Sequence, residues 1–341
     1  MGERAHRPTV KEVAQRAGVS PMTVSRTLSG GRNVKPEVQE RVLAAVAELG
    51  YHRNENARSI RPGHSSGLIG VAITNIANPY YGTFALGVEE EAALAGRRIL
   101  LGNTSEDASR EAELVGDFLG RRVDGLVVVP AAASSAHLEH SQRQGVPVVL
   151  ASRRIEGLEA DSVVLADEDG AFRGTIALID RGHTRIGYLG NALSIFTGAR
   201  RHAGYLRALA SRGLTADPRL VATAQQTVDQ AREATRALLR AENPPTAIFC
   251  ANNRNAIGAL KEIGVQLATG LRTADAFPEI VSFDDFELAE LSPVPLSVID
   301  HDPRELGRTA ARLLLDRLDG GGGEAAPREI ELPVSLRLGV R

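Results

Sequence analysis

Residues 9–30 read TVKEVAQRAGVSPMTVSRTLSG, and this stretch decides how the head of the chain folds. Thr9 and Glu12 stand three apart ahead of an apolar run, so the Thr oxygen can take an orphan backbone N–H while the Glu reaches back to the cap. The helix this capping box starts carries Val13, Ala14 and Ala17 inward and stops at Gly18. Ser20 and Pro21 then supply a cap and a first helical residue whose missing N–H is not needed, which predicts a second helix to about Leu28. Val24 and Leu28 face inward, turning Pro21, Met22, Ser25 and Arg26 outward toward base edges and phosphates. Pro36 opens a third helix with Val38, Val42, Val46 and Leu49 on one face, closed by Gly50. Two short helices around a tight glycine, with a third behind them, predict a helix-turn-helix.

Charge supports that reading. Net charge is −2 over 341 residues, yet residues 1–64 hold 11 Lys and Arg against 6 Asp and Glu, while the remainder holds 29 against 36. A basic head on an acidic body fits a nucleic-acid partner for the head, which a plain helical hairpin would leave unexplained. Cys250 stands alone, which excludes an intramolecular disulfide and a thiolate-rich zinc or iron–sulfur site built from this chain. The polar start and the lack of any apolar run of about 18 residues predict a chain that is neither exported nor inserted in a membrane, and so cytoplasmic.

From Leu68 the pattern changes. Short apolar runs alternate with helical segments: LIGVAI, RILLG, GLVVVP, PVVLA, SVVLA, IGYLG, AIFCAN, EIVSFDD and PLSVID, with REIELPVSLRL as the last strand. Nearly continuous hydrophobic strands in this rhythm mean βαβ units, hence parallel sheets covered on both faces. Their number predicts an α/β body of two doubly wound lobes rather than one wide sheet. Residues 54–61, NENARSIR, suit a short conditional helix stopped by Pro62-Gly63, and DGGGGEAAP at 319–327 suits a flexible loop.

TVKEVAQRAGVSPMTVSRTLSG, VKPEVQERVLAAVAELGY and NARSIRPGHSSGLIGV together closely resemble the amino-terminal signature of the lactose/galactose repressor (LacI/GalR) family. The resemblance continues through NPYYGTF, VDGLVVVP, RGHTRIGYLG, CANNRNAIGAL, SFDD, ELGRTAARLLLDRL and ELPVSL. It implies a homodimeric, effector-controlled repressor of transcription acting on a pseudo-palindromic operator in double-stranded DNA, with no cofactor and no metal. The implied divisions are a DNA-binding domain at 1–50, a hinge helix and linker at 51–63, and an effector and dimerisation domain at 64–341. Within the last, the expected first lobe is 64–166 with 298–325 and the second 167–297 with 326–341.

By the same resemblance Thr9, Ser20, Pro21, Met22, Thr23, Ser25, Arg26 and Asn33 would contact DNA from the head, and Asn54, Ala57, Arg58 and Ile60 from the hinge. Ile60 takes the place of the usual Leu that wedges into a minor-groove step, a contact that unstacks bases and is offset by those the bend creates. Arg53 stands where the family usually has Pro, and Ser29 where Asn is common. The implied effector site gathers Thr74, Tyr80, Tyr81, Phe84, Arg153, Thr197, Arg201, Asn252, Asp284 and His301 at strand ends facing one cleft. Arg and carboxylate groups there suit vicinal hydroxyls and aromatic faces suit a sugar ring, so a carbohydrate-like effector (sugar, sugar acid or sugar phosphate) is expected. Ser152 and Asn253 replace two family aspartates while Arg153 and Arg201 remain, which predicts a more positive cleft and an anionic effector. The segment from Gln266 to Phe277 is longer than the family's usual turn, and no heptad tail follows Arg341, so a dimer is the expected state.

Enzyme motifs do not compete. Gly63-His64-Ser65-Ser66-Gly67 spells a nucleophile elbow but follows a helix stop and precedes a strand, the reverse of what the elbow requires. Lys11, Lys35 and Lys261 lack the preceding Gly of a phosphate-binding loop, and no G-x-G-x-x-G follows the first strand. His137 and His140 sit one helical turn apart with no third ligand, which reads as a solvated helix face. A sugar receptor or a sugar-modifying enzyme on the same scaffold would leave the basic head without a role.

Overall fold

The computed structural model describes residues 8–28, 34–51, 65–131, 134–271, 273–321 and 326–339. The chain divides into two compact units, Met1–Ser66 and Gly67–Arg341.

In the first unit the cap chemistry acts as the sequence dictates. Thr9 N donates to Glu12 Oε2 at 2.7 Å and Glu12 N donates to Thr9 Oγ1 at 3.4 Å, starting α1 (Val10–Ala17). Gly18 takes the left-handed conformation (φ 65°) that ends it. Ser20 Oγ accepts from Thr23 N at 3.1 Å and opens α2 (Pro21–Leu28), and α3 (Pro36–Leu49) ends at Gly50 with φ 59°. Val13, Ala14, Ala17, Val24, Val42, Ala45 and Tyr51 form the core, with Leu28, Val46 and Leu49 against it.

The second unit holds two six-stranded sheets. The first contains β1 (Leu68–Ile73), β2 (Arg98–Asn103), β3 (Gly125–Val128), β4 (Val148–Ala151), β5 (Asp161–Leu165) and a late strand, β11 (Glu329–Leu332), in the order β11-β5-β4-β3-β1-β2, all parallel. The second contains β6 (Ile186–Leu189), β7 (Val221–Ala222), β8 (Ala247–Cys250), β9 (Glu279–Phe283), β10 (Leu296–Asp300) and β12 (Ser335–Arg337), ordered β12-β10-β9-β8-β6-β7, with only β12 antiparallel. Helices α4 (Pro79–Leu94), α5 (Ala108–Gly120), α6 (Ala136–Arg143) and α11 (Pro303–Asp316) cover the first sheet. Helices α7 (Asp167–Asp180), α8 (Phe196–Ser211), α9 (Val228–Arg240) and α10 (Asn253–Ala268) cover the second. Glycines set the closest helix contact: a Cβ at Gly87 would lie 2.0 Å from Arg304 O, and one at Gly307 2.1 Å from Phe84 O, so only Gly lets α4 and α11 approach this far.

The fold class is the expected one, and three details differ. Residues 298–300, assigned above to the first lobe, pair in the second sheet, because β10 joins β9 there before the chain crosses to α11 and β12 later adds to its other side. Residues 329–332, assigned to the second lobe, pair with β5 in the first. REIELPVSLRL is accordingly not one strand: Pro333, which has no N–H to give a ladder, separates β11 from β12, and the chain changes lobes there. The two-residue β7 has only the short apolar run Leu220-Val221-Ala222 to announce it. NENARSIR and residues 322–325 of the Gly-rich stretch lie outside the described residues.

Candidate functional site

The head presents α2 as its polar face. Val24 is fully buried, while Pro21, Met22 and Arg26 are exposed and Ser25 is half-exposed; Met22 keeps 61% of its surface in solvent despite being apolar. Ser20 and Thr23 are tied to each other, their hydroxyls 2.9 Å apart, which fixes the first turn of the helix. Asn33, Asn54, Ala57, Arg58 and Ile60 lie outside the described residues.

In the second unit both sheets reverse strand order beside their first strand, β1 and β6, and open-sheet proteins place ligands beyond the strand ends at such points. A cavity of about 80 Å³ lies there between the lobes. Of the ten expected effector residues, Tyr80, Tyr81, Arg153, Thr197, Arg201, Asn252 and Asp284 line it. Thr74, Phe84 and His301 do not. Phe84 is fully buried in the core, Thr74 is buried with no partner for its hydroxyl, and His301 stands behind Tyr80, their rings 5.5 Å apart.

Arg201 on α8 is buried and donates from Nε to Asp167 Oδ1 at 2.7 Å and from Nη1 to Ala251 O at 2.6 Å. Its Nη1 also lies 3.4 Å from Asp284 Oδ2, and its guanidinium lies 3.6 Å from the centre of the Phe283 ring. Burial pushes the Asp167 carboxyl up to about 6 against the opposing pull of Arg201, and its Oδ2 has no hydrogen-bond partner. Burial lowers His301, whose Nε2 lies 3.4 Å from Asp284 Oδ1 without making a hydrogen bond. Burial, with Asp284 nearby, holds the Tyr80 phenol well above its usual range.

Across the cavity Arg153 makes a bidentate pair with Glu106 (2.6 and 2.7 Å) and donates to Pro130 O at 2.7 Å. Burial opposes the Arg153 charge, yet the bonds to Glu106 prevail and raise its pKa. The two arginines on which the expectation of a positive cleft rests, Arg153 and Arg201, are thus each met by carboxylates, while Arg254 also lines the cavity. Glu106 and Asp167, which follow β2 and β5, supply the carboxylates that Ser152 and Asn253 lack. Sequence reading missed both because no local motif marks an acid arriving from a neighbouring strand.

The lobes also meet directly. Asn78 Nδ2 donates to Asn253 Oδ1 at 3.2 Å and Asn253 Nδ2 donates to Asn78 Oδ1 at 3.0 Å, both side chains buried. Asn252 caps α10, accepting from Asn255 N at 2.8 Å, and donates to Asn191 Oδ1 at 2.8 Å. Tyr80 and Tyr81 pack edge to face with centroids 5.1 Å apart. His137, expected on a solvated face, instead lies 2.8 Å from the buried Glu111, whose other oxygen accepts from Ala131 N.

Residues 66–337 match the family model described as periplasmic binding proteins and sugar binding domain of LacI family, and residues 9–54 match that of bacterial regulatory proteins, lacI family. The chain belongs to the LacI family. Catabolite control protein A of Priestia megaterium is 32% identical over 307 residues, covering 90% of this chain and 91% of that protein. The structure of the lac repressor dimer bound to operator and the anti-inducer ONPF superposes with a TM-score of 0.82 at 28% identity, covering 97% and 98% of the two chains. The transcriptional regulator CelR–cellobiose complex gives 0.72 at 28% identity over 98% and 99%. This LacI-family protein is thus an effector-controlled, DNA-binding regulator of transcription. Among its described residues no helix is long and apolar enough to cross a membrane, and no three His, Cys, Asp or Glu side chains form a metal-binding group.

Proposed function

We propose that this regulator is a homodimeric, cytoplasmic repressor whose α2 reads a pseudo-palindromic operator, and whose effector is a neutral, hydroxyl-rich carbohydrate held between the lobes. The dimer follows the lac repressor relative, and the carbohydrate class follows the cellobiose complex. The observation that carries the ligand class is the matching of two of the cavity's three arginines by acids, Arg153 by Glu106 and Arg201 by Asp167 and Asp284, with Arg254 as the third. A sugar phosphate or sugar acid seated on Arg153 or Arg201 would have to displace one of these carboxylates, leaving a buried charge unpaired at a cost of about 3–5 kcal/mol. Hydroxyls instead serve both partners, donating to the Glu106 and Asp284 carboxylates that line the cavity and accepting from the guanidinium edges. Tyr80 and Tyr81 offer ring faces to the C–H surface of a pyranose. The same acids are engaged with Arg153 and Arg201 rather than aligned on a nucleophile, so we assign no catalytic role.

Calorimetric titration with neutral sugars, sugar acids and sugar phosphates tests the ligand class: binding confined to the anionic members overturns it. Retention of genomic fragments by the full-length protein at two salt concentrations tests the operator reading, since phosphate-only binding collapses as salt rises. A salt-resistant pseudo-palindrome is the expected product.

A further inference from the structure

Three of the four parallel crossovers among β1–β5 carry a helix: α4, α5 and α6. The fourth, residues 152–160 between β4 and β5, carries none, and it is shorter than the dozen or so residues such a connection ordinarily takes. Ile155 and Leu158 pin it to the core beneath α5 and α6, but it leaves open the strip of that face where another helix would lie. The result is a groove of about 670 Å³, within the range of small-molecule sites and far larger than the polar cavity.

The groove belongs to both lobes and adjoins the cavity. Leu150, Ile155, Leu158 and Ala160 wall it from the first lobe, Ile195 and Phe196 from the second. Arg153 and Ile195 line the groove and the polar cavity alike. Arg153 faces its own carboxylate, so the shared wall carries no unbalanced charge. The Arg154 guanidinium lies 5.9 Å from the centre of the Phe196 ring and pairs with Glu329, holding the rim across the lobes.

We propose that the groove is the second half of the effector site, and that the effector is an elongated glycoside. One sugar ring sits at Arg201 and Asp284, and a second ring or aryl group lies against Phe196 and Leu158. The proposal rests on the neutral-carbohydrate reading of the cavity and extends it. A lone monosaccharide fills only the polar end. A flat substituent reaching past Arg153 and Ile195, the residues common to both linings, gains apolar contact in the groove.

The test is calorimetry on the full-length protein with glucose, galactose, mannose, xylose and ribose, each as its methyl and its phenyl glycoside, together with cellobiose. For any sugar whose methyl glycoside binds, the phenyl glycoside is expected to bind at least about tenfold tighter, or about 1.4 kcal/mol. Burial of roughly 55 Å² of apolar surface supplies that much. Ala160→Trp fills the groove and Phe196→Ala removes its ring face; both are expected to abolish the gain and leave methyl-glycoside binding within twofold of wild type. Phe196 is half-exposed, so its variant remains informative if Ala160→Trp does not fold. Methyl glycosides that bind with no gain from the phenyl group overturn the groove proposal alone, as does a gain that survives in either folded variant. If no neutral sugar or glycoside binds, the carbohydrate reading fails and the groove proposal falls with it.

Discussion

Replacing Asn253 by Asp, the residue usual in the family at this place, isolates the amide pair that ties the lobes together. In the wild type each amide donates to the other, at 3.2 and 3.0 Å, with both side chains buried. A carboxylate keeps the bond from Asn78 Nδ2 and loses the one to Asn78 Oδ1, setting two acceptor oxygens against each other. Asn78 cannot rotate away freely, because its Oδ1 also accepts from Tyr80 N at 3.3 Å as the cap of α4. Losing a buried hydrogen bond while leaving its acceptor unmatched costs about 1–3 kcal/mol, which is roughly a 5- to 150-fold change in the ratio of closed to open lobes. Small-angle scattering of N253D is expected to show a larger radius of gyration, and calorimetry with a bound neutral sugar a loss of affinity by at most that factor, in proportion to the fall in the closed fraction on which the ligand draws. Acidification toward pH 4 is expected to restore part of the affinity, because a protonated carboxyl regains a donor. A folded N253D with wild-type scattering and wild-type sugar affinity would refute the latch.

Other outcomes follow from the same geometry. Arg26→Ala is expected to weaken binding to the cognate operator by about 1–3 kcal/mol, the worth of one base-reading contact, measured by fluorescence anisotropy; unchanged affinity and selectivity removes Arg26 from the readout. Arg201→Ala leaves Asp167 and Asp284 buried without their partner and is expected to cost about 3–5 kcal/mol of stability in urea unfolding, together with sugar binding. Arg201→Lys restores little of either, since one ammonium cannot reach Asp167, Asp284 and Ala251 O with the same fork. Burial opposes the charge of Asp161 and Glu262, yet Arg317 and Arg328 hold the first at about 2, and Arg236, Gln266 and Arg232 hold the second at about 2. Both pKa values lie below the unfolded carboxylate range of about 4, so this stabilisation is complete above that pH and is lost as pH falls toward 2. Urea titrations across this interval read it, and Arg317→Met is expected to flatten the Asp161 share; a slope unchanged by that variant would contradict the assignment.

Much of the fold was legible because its signals are local. Capping residues, helix-stop glycines and apolar runs act within a few positions, and nine quoted runs correspond to β1–β6 and β8–β10. What sequence reading misplaced depends on long-range pairing: whether β10 and β11 join the first sheet or the second is decided by ladders to β9 and β5. The site divides in the same way. Tyr80, Tyr81, Arg153 and Arg201 stand in motifs, whereas Glu106 enters from β2 across 47 residues from its arginine and Asp167 from the lobe crossing, 34 residues from its own. Counting the carboxylates lost from motif positions therefore overlooks Glu106 and Asp167, because the compensating acids carry no motif. Asn253 shows the converse. It reads as a lost charge in the sequence and becomes a donor in the structure, with a use for both of its amide atoms.

The backbone explains how those acids are held. Ser105, Glu106, Ser152 and Asp284 all adopt left-handed conformations, with φ of 57, 60, 62 and 67°, just beyond the ends of β2, β4 and β9. For residues other than glycine this costs roughly 1–2 kcal/mol apiece, less for Asp, and strand ends have no general need of it. A left-handed residue turns the chain sharply, so that Glu106, Arg153 and Asp284 project back over the strand ends instead of continuing outward. The strain persists because the side chains it aims are bonded: Glu106 cannot relax without releasing Arg153, nor Asp284 without leaving Arg201. Strain and ion pairing are thus one device with two ends, and its product is a set of donors and acceptors already fixed before a ligand enters. Such a surface need not be ordered on binding, and the charges of Arg153 and Arg201 are already matched. On the proposed carbohydrate reading, discrimination then falls to the spacing of hydroxyl groups, which separates one stereoisomer from another.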